Sequence, residues 1–389
     1  MIKINNKSHC TGCTACATIC PKSCIVLEAD NEGFMYPRVM QDMCIDCGLC
    51  EKVCPVEKKK VELEKASPCL YAAYHNNEKI RYDSSSGGIF SAVAEKVLEE
   101  GGTICGCICD ENKLIKHTFI QNVEDLYKLR GSKYVQSSIE GVFSRIKEYL
   151  LNNTPVLFCG TPCQVAGLIS FVPAKLQERL YTIDFICHGV PSPKVWNKYV
   201  TWQETVHNSH ITDVSFRSKI KGWTFSHIIL EFENSEQYSK SLERDKYLRG
   251  FLNDVTLRPS CYECPFKTVN RGSDLTLADF WGIKKVDPSM YRKDGVSLVL
   301  VQSKKGESLI KAIDSQITKK EEPLEKVVSI NVNLKKSVVK PTDRELFFAN
   351  IDKYDYKTLY SRFLRISMLT EMKYIIRNTI KQLLFSIGR

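Results

Sequence analysis

Apolar residues recur along this chain with two periods, and the switches between them outline its elements. Ile89, Phe90, Val93, Val97 and Leu98 fall at helical spacing behind a small-residue loop at 83–88, and Gly101-Gly102 closes the segment, which predicts an amphipathic helix. Residues 103–109 alternate as a strand, with Cys105, Cys107 and Cys109 on one face. Residues 155–160 read as a buried strand leading into Gly160-Thr161-Pro162-Cys163-Gln164 and a short helix, and 180–186 as a second strand ending at Cys187-His188-Gly189. That order predicts a parallel βα unit whose functional groups collect at the carboxyl ends of the strands, where Cys163 and Cys187 both fall. Residues 213–216 and 225–232 read as a hairpin, 238–252 as a helix, and 274–280 and 296–301 as further strands. The tail, 360–389, is helical in pattern, with Arg362, Arg365, Lys373, Arg377 and Lys381 set among Leu, Ile and Phe.

The cysteines change this picture. Cys10, Cys13, Cys16 and Cys20 follow C-x2-C-x2-C-x3-C and end in Pro21; Cys44, Cys47, Cys50 and Cys54 repeat the pattern and end in Pro55. This is the bacterial two-cluster ferredoxin run, in which the fourth Cys of each run ligates the other cluster. The expected sets are therefore Cys10, Cys13, Cys16 with Cys54, and Cys44, Cys47, Cys50 with Cys20. A zinc site would need only four ligands, usually in two pairs, and would not require the duplication. Cys24 fits neither run and is expected to be a small buried hydrophobe, as are Cys105, Cys107, Cys109 and Cys159. Further on, Cys261-Tyr262-Glu263-Cys264-Pro265 is half a metal site, and Cys163 and Cys187 are the natural candidates for the other half.

Bulk numbers add limits. The 389 residues leave room for a large body behind the ferredoxin, and 43% hydrophobic with 26% charged is a globular composition. The polar start at 1–8 does not read as a signal peptide and no apolar run spans a bilayer, so the thiols are expected in a reducing, cytoplasmic setting. The formal charge of +10 falls to roughly +4 once three cubanes are counted, which leaves a nucleic-acid reading with no recognisable module. The charged run at 57–65 reads as a linker. The basic tail suits an anionic membrane surface as well as a protein face, and packing on its own domain is the expectation.

Taken together, Ser84 to Gly88, Gly131 to Gln136, Gly160 to Gln164, Cys187-His188-Gly189, the Cys261/Cys264 pair with Arg271, and Asp279-Phe280-Trp281-Gly282 resemble the beta subunit of coenzyme F-420 hydrogenase/dehydrogenase. The likeness runs from about 8 to about 303. It implies an α+β or α/β chain in three parts: a ferredoxin domain at 1–60, a mixed α/β body at 67–330 that carries FAD and a third 4Fe-4S cluster, and a helical basic extension at 331–389. The third cluster would take Cys163, Cys187, Cys261 and Cys264. FAD would be held by Ser84, Ser85, Ser86, Gly87 and Gly88 at the pyrophosphate, with Lys133, Gln136 and Thr161 near the ring or phosphates. A helix N-terminus favours a phosphate, and a cation favours reduced flavin.

The function implied is that of an iron-sulfur flavoprotein oxidoreductase: single electrons from a ferredoxin or another redox protein reach FAD and leave in pairs to a small-molecule substrate, or the reverse. The other reading is a non-catalytic subunit that relays electrons to a separate catalytic chain. His188 and Lys133 are the catalytic candidates, His188 as a proton donor or as a group that orders Cys187. Asp279 and Arg271 are open in the same two ways: either could serve proton transfer or belong to a buried pair that orders the Cys261 loop.

Overall fold

The computed structural model describes residues 1–58, 68–365 and 368–387. From residue 59 on, the expected linker lies outside them.

At the amino end, helices Ala15–Ile19 and Leu49–Val53 each carry the third cysteine of a run, Cys16 and Cys50. The sequence repeat is a conformational repeat. Thr14 and Gly48 turn left-handed (φ 61 and 69) just before the two helices, and Cys20 and Cys54 close them by donating their N–H groups to Ala17 and Glu51. Between them, β1 (Ile25–Ala29) and β2 (Met35–Val39) pair antiparallel, Ile25 opposite Val39.

In the body, five strands follow: β3 (Cys69–His75), β4 (Thr103–Cys109), β5 (Ile115–Ile120), β6 (Val156–Cys159) and β7 (Leu180–Phe185). Strands β8 (Ile211–Ser218), β9 (His227–Phe232) and β10 (Gln237–Ser241) form a separate antiparallel sheet in the order β10-β9-β8. Strands β11 (Leu275–Asp279), β12 (Ser297–Val301) and β13 (Ile317–Glu321) then return to an eight-stranded sheet ordered β13-β3-β12-β11-β7-β6-β4-β5. Its centre, β11-β7-β6-β4, is parallel and its flanks are antiparallel. The expected βα unit is β6, helix Pro162–Phe171 and β7. Crossover geometry sends the carboxyl ends of the four parallel strands to one edge, where an open sheet offers a crevice.

One face of the large sheet is covered by helix Ile89–Glu99, which packs Ile89, Val93 and Val97 on Ile104, Leu157, Ile183 and Val299. The other face receives Phe143, Ile146 and Leu168 from helices Val142–Leu151 and Pro162–Phe171, together with Cys13, Ala15, Cys16 and Val53 of the ferredoxin domain. Each such apolar side chain is worth about 1.5–3 kcal/mol when removed from water, so the N-terminal domain shares the body's core rather than hanging from it.

Two expectations need correction. The helix predicted at 238–252 begins only at Lys246, because Gln237–Ser241 pairs along β9 as an edge strand. The carboxyl extension is not separate either: Phe347, Phe348, Tyr356, Leu359 and Leu364 are buried in the same cluster as Trp196, Tyr199 and Phe34. The expectation that the tail packs on its own domain holds only that far. In the last helix, Met368–Ile387, Met368, Leu369, Met372, Ile375, Ile376 and Ile380 are exposed and Arg377 pairs with Glu243. Among the described residues, no helix is long and apolar enough to cross a membrane.

Candidate functional site

The thiols expected as ligands fall into three groups. Cys16 is pushed up to about 12 by burial and by Cys10, Cys54 and Cys50 beside it. Burial also raises Cys54, with Cys10 as its neighbouring thiol, so Cys54 lies beside thiols of the first run. Cys20, Cys44, Cys47 and Cys50 line a second cavity. Cys24 lines it as well, with its sulfur 3.3 Å from that of Cys20. The expectation for Cys24 was incomplete: it is buried, yet it faces the ligands.

The third group is dispersed in sequence. The βα turn after β6 supplies Cys163, the segment after β7 supplies Cys187, and the turn around Pro259–Cys261 supplies Cys261 and Cys264. All four line one cavity. Burial first, then Cys261, Cys163 and Cys264, raises the Cys187 thiol. The turn is built for this: Thr161 caps helix Pro162–Phe171 in a reciprocal box with Gln164, and its hydroxyl lies 3.1 Å from the Cys163 sulfur. The Val190 N–H points at the Cys261 sulfur (3.4 Å), a contact that stabilises thiolate charge. Among the described residues, no three His, Cys, Asp or Glu side chains converge on a single ion. The donor set, all sulfur, is the one 4Fe-4S chemistry requires.

The first and third groups adjoin. Cys163 is an electrostatic neighbour of Cys13, and a Cβ on Gly167 would lie 2.9 Å from that of Cys13, so only glycine lets this helix approach. Arg258, fully buried, is wedged beside both. It donates to the carbonyls of Cys10 (2.8 Å) and Met35 (2.9 Å) and to Gln136 (3.0 Å), and it lies 4.3 Å from the Tyr36 ring centre.

A cavity of about 650 Å³ opens at the carboxyl edge of the sheet. Ser84, Ser85, Ser86, Gly88, Lys133, Thr161 and His188 line it, along with Cys107, His117, Cys159, Asp184, Arg217 and Trp281. It shares Cys187, His188, Gly189 and Val190 with the third thiol cavity. Gly87 and Gln136 do not line it. Gly87 is a packing position: a Cβ there would meet the Ala73 carbonyl at 2.6 Å. Gln136 turns away, donating to the Thr11 carbonyl and accepting from Arg258. The serine loop is braced from below by Lys219, which donates to the Arg81 and Ser86 carbonyls (2.7 Å each) and which burial pushes down to about 7.

His188 uses both ring nitrogens, Nε2 at 2.6 Å from Asp254 and Nδ1 at 3.2 Å from the Asn333 amide. That suits ordering the Cys187 segment better than proton donation. Lys133 donates to the Lys128 (3.1 Å) and Arg130 (2.6 Å) carbonyls, and burial lowers its pKa. Asp279 and Arg271 each sit in a buried pair, with different partners. Asp279 binds Arg217 and the Trp223 indole (2.7 Å), whereas Arg271 reaches Asp184 (3.4 Å) and the Phe185 carbonyl (3.0 Å). Of the cysteines read as packing, Cys105 is in the core while Cys107 and Cys159 face the cavity. His117, Arg217 and Arg258 carried no sequence signal, since each is a lone polar residue outside any motif.

Residues 9–58 match the family model of the 4Fe-4S dicluster domain. Residues 70–151 match the N-terminal part, and 154–327 the C-terminal part, of the coenzyme F420 hydrogenase/dehydrogenase beta subunit. One relative is the F component of the F(420)H(2) dehydrogenase of Methanosarcina mazei, named as one of its subunits. It is 24% identical over 183 residues, 45% of this chain and 51% of that protein. The coenzyme F420-dependent sulfite reductase of Methanocaldococcus jannaschii is 29% identical over 185 residues, 46% of this chain and 28% of that protein. The chain thus spans about half the length of the first relative and less of the second. A chain of the F420-reducing NiFe hydrogenase complex from Methanosarcina barkeri aligns with a TM-score of 0.46 and 19% identity, covering 78% of this chain and 95% of that one. With the two halves of one family matched in order behind a dicluster domain, this chain belongs to the family of the coenzyme F420 hydrogenase/dehydrogenase beta subunit, as an iron-sulfur electron-transfer protein.

Proposed function

We propose that the chain is an iron-sulfur flavoprotein oxidoreductase, with FAD in the large cavity and a third 4Fe-4S cluster on Cys163, Cys187, Cys261 and Cys264. The observation that carries this reading is the wall shared by the two cavities, Cys187 to Val190. Bound there, clusters would supply electrons singly and flavin would exchange them in pairs as hydride. The residues of the chain supply the rest. The cavity is within the size range of small-molecule sites, and the Ser84–Gly88 loop leads into the N-terminus of an 11-residue helix suited to a pyrophosphate. Lys133 brings positive charge, and His188, held by Asp254 and Asn333, keeps the Cys187 segment in place. The N-terminal domain is the entry point for a ferredoxin or similar donor. Both relatives carry F420 in their names, so that coenzyme is the first substrate to try.

One relative is named as part of a larger dehydrogenase, which favours the second reading, a relay to another chain. Anaerobic reconstitution separates the two. The flavoprotein reading expects about twelve iron atoms and one FAD per chain, with turnover of an artificial acceptor. Full iron without flavin would leave the relay; about eight iron atoms would remove the third cluster.

A further inference from the structure

Among the described residues, three buried polar atoms without a partner belong to residues that line the large cavity: His117 Nδ1, Asp184 Oδ1 and Arg217 Nη2. Buried polar groups are paired as a rule, so each marks where a ligand atom belongs. The most sharply defined is His117, which is 8% exposed. It sits on β5 opposite Cys107, and its ring stacks on Phe158 at 5.3 Å and 20°. Its Nε2 is 3.0 Å from the Cys159 carbonyl. A carbonyl only accepts, so Nε2 carries the hydrogen and Nδ1 presents a lone pair. Burial pushes the ring down to about 4, which keeps it neutral near pH 7. The unpaired atom is therefore an acceptor that asks the ligand for an N–H or O–H.

Lys133 is an electrostatic neighbour of this ring and lines the same cavity. Among the described residues its ammonium uses two of three hydrogens, on the Lys128 and Arg130 carbonyls. The cavity thus places a neutral acceptor beside a cationic donor. The pyrimidine edge of an isoalloxazine ring has the complementary pattern, an imide N3–H next to the C2 carbonyl, where negative charge gathers on reduction. Asp184 offers an acceptor too, but beside Arg271 rather than beside a free cationic donor hydrogen, and a carboxylate at that edge would oppose reduction.

We propose that His117 Nδ1 accepts the N3–H of the flavin and that Lys133 faces its C2 carbonyl, which lays the pyrimidine edge against β5 and the 130–133 turn. This rests on the reading of the cavity as an FAD site. It fixes which edge of the ring is buried in protein and makes His117 a specificity-determining residue.

The test is titration of the anaerobically reconstituted full chain, cleared of flavin, with FAD and with N3-methyl-FAD, which lacks the donor. Wild type is expected to bind the methylated flavin at least about ten-fold more weakly, the value of one lost hydrogen bond. His117→Phe keeps the ring stack and should bind the two flavins alike, with iron content and circular dichroism unchanged. His117→Asn, which restores an acceptor, should recover part of the discrimination. Equal binding of the two flavins by wild type overturns the inference while leaving FAD in place. Failure of wild type to bind FAD at all overturns both. Should His117→Phe not fold, the wild-type comparison decides alone.

Discussion

The ferredoxin thiols and the body thiols reach similar ends by opposite routes. In the N-terminal domain, each run of four cysteines is wound by one short helix with a left-handed residue before it, so the ligand geometry is written into eleven consecutive positions and then repeated. In the body, Cys163, Cys187 and the Cys261/Cys264 pair come from three segments that meet only because β6 and β7 are parallel neighbours and the 259–264 turn folds over their carboxyl ends. The first assembly depends on local conformation, the second on the whole sheet. Arg258 and Gly167 lie where the two meet.

The sharpest way to break this comparison is to remove one thiol from each run. Cys54→Ser should cost the cluster that also loses iron in Cys10→Ser, and Cys20→Ser the other, about four iron atoms in each case. Iron analysis with paramagnetic resonance of the reduced protein checks it; loss of the same signal in Cys20→Ser and Cys10→Ser would undo the crossed pairing.

That contrast also explains what could be read from the chain beforehand. The duplicated spacing pointed to eight ligands because a cubane on a contiguous run imposes its own period. The βα unit was legible because β6 and β7 are continuous apolar runs. The Cys163/Cys187 alliance with Cys261/Cys264 followed from strand-end logic plus a half-complete metal motif. What escaped was whatever depends on the third dimension alone. Strands β3 and β13 at the sheet's far side and the deflection of Gln136 toward Arg258 are set by partners over 100 residues away, the edge strand Gln237–Ser241 by its pairing with β9, and His117 under the cavity is a single polar side chain with no periodic signature.

A smaller effect is expected where the two assemblies join. Arg258→Met would leave the Cys10 and Met35 carbonyls without their buried donor, and should cost about 3 kcal/mol in urea unfolding of the holoprotein. It should also weaken docking of the N-terminal domain, seen as faster release of that domain in limited proteolysis. Arg344→Met, which breaks the ion pair to Glu32 in the same contact, should cost less, about 2 kcal/mol. Equal losses from the two variants would mean that the contact is diffuse rather than centred on Arg258.

A further effect is one of pH. Burial holds His117 and His227 down at about 4 in the folded chain, against 6.5 as the ordinary value. The unfolded chain therefore binds these protons first. Their contribution is fully present above about pH 6.5 and is lost as pH falls toward 4. His117→Phe should flatten that part of the stability profile, measured by thermal unfolding at several pH values; an unchanged slope would mean the ring is not buried neutral.

The central claim is a single path from the N-terminal clusters through the Cys163 group to the cavity at the sheet edge. Stopped-flow mixing of reduced ferredoxin with the oxidised, FAD-loaded protein, wild type against Cys163→Ala, tests it most directly. The account predicts that cluster bleaching keeps its rate in the variant while flavin bleaching falls by at least a hundred-fold, roughly the consequence of ~3 kcal/mol or more on the barrier. Flavin reduced at the wild-type rate in Cys163→Ala would contradict it.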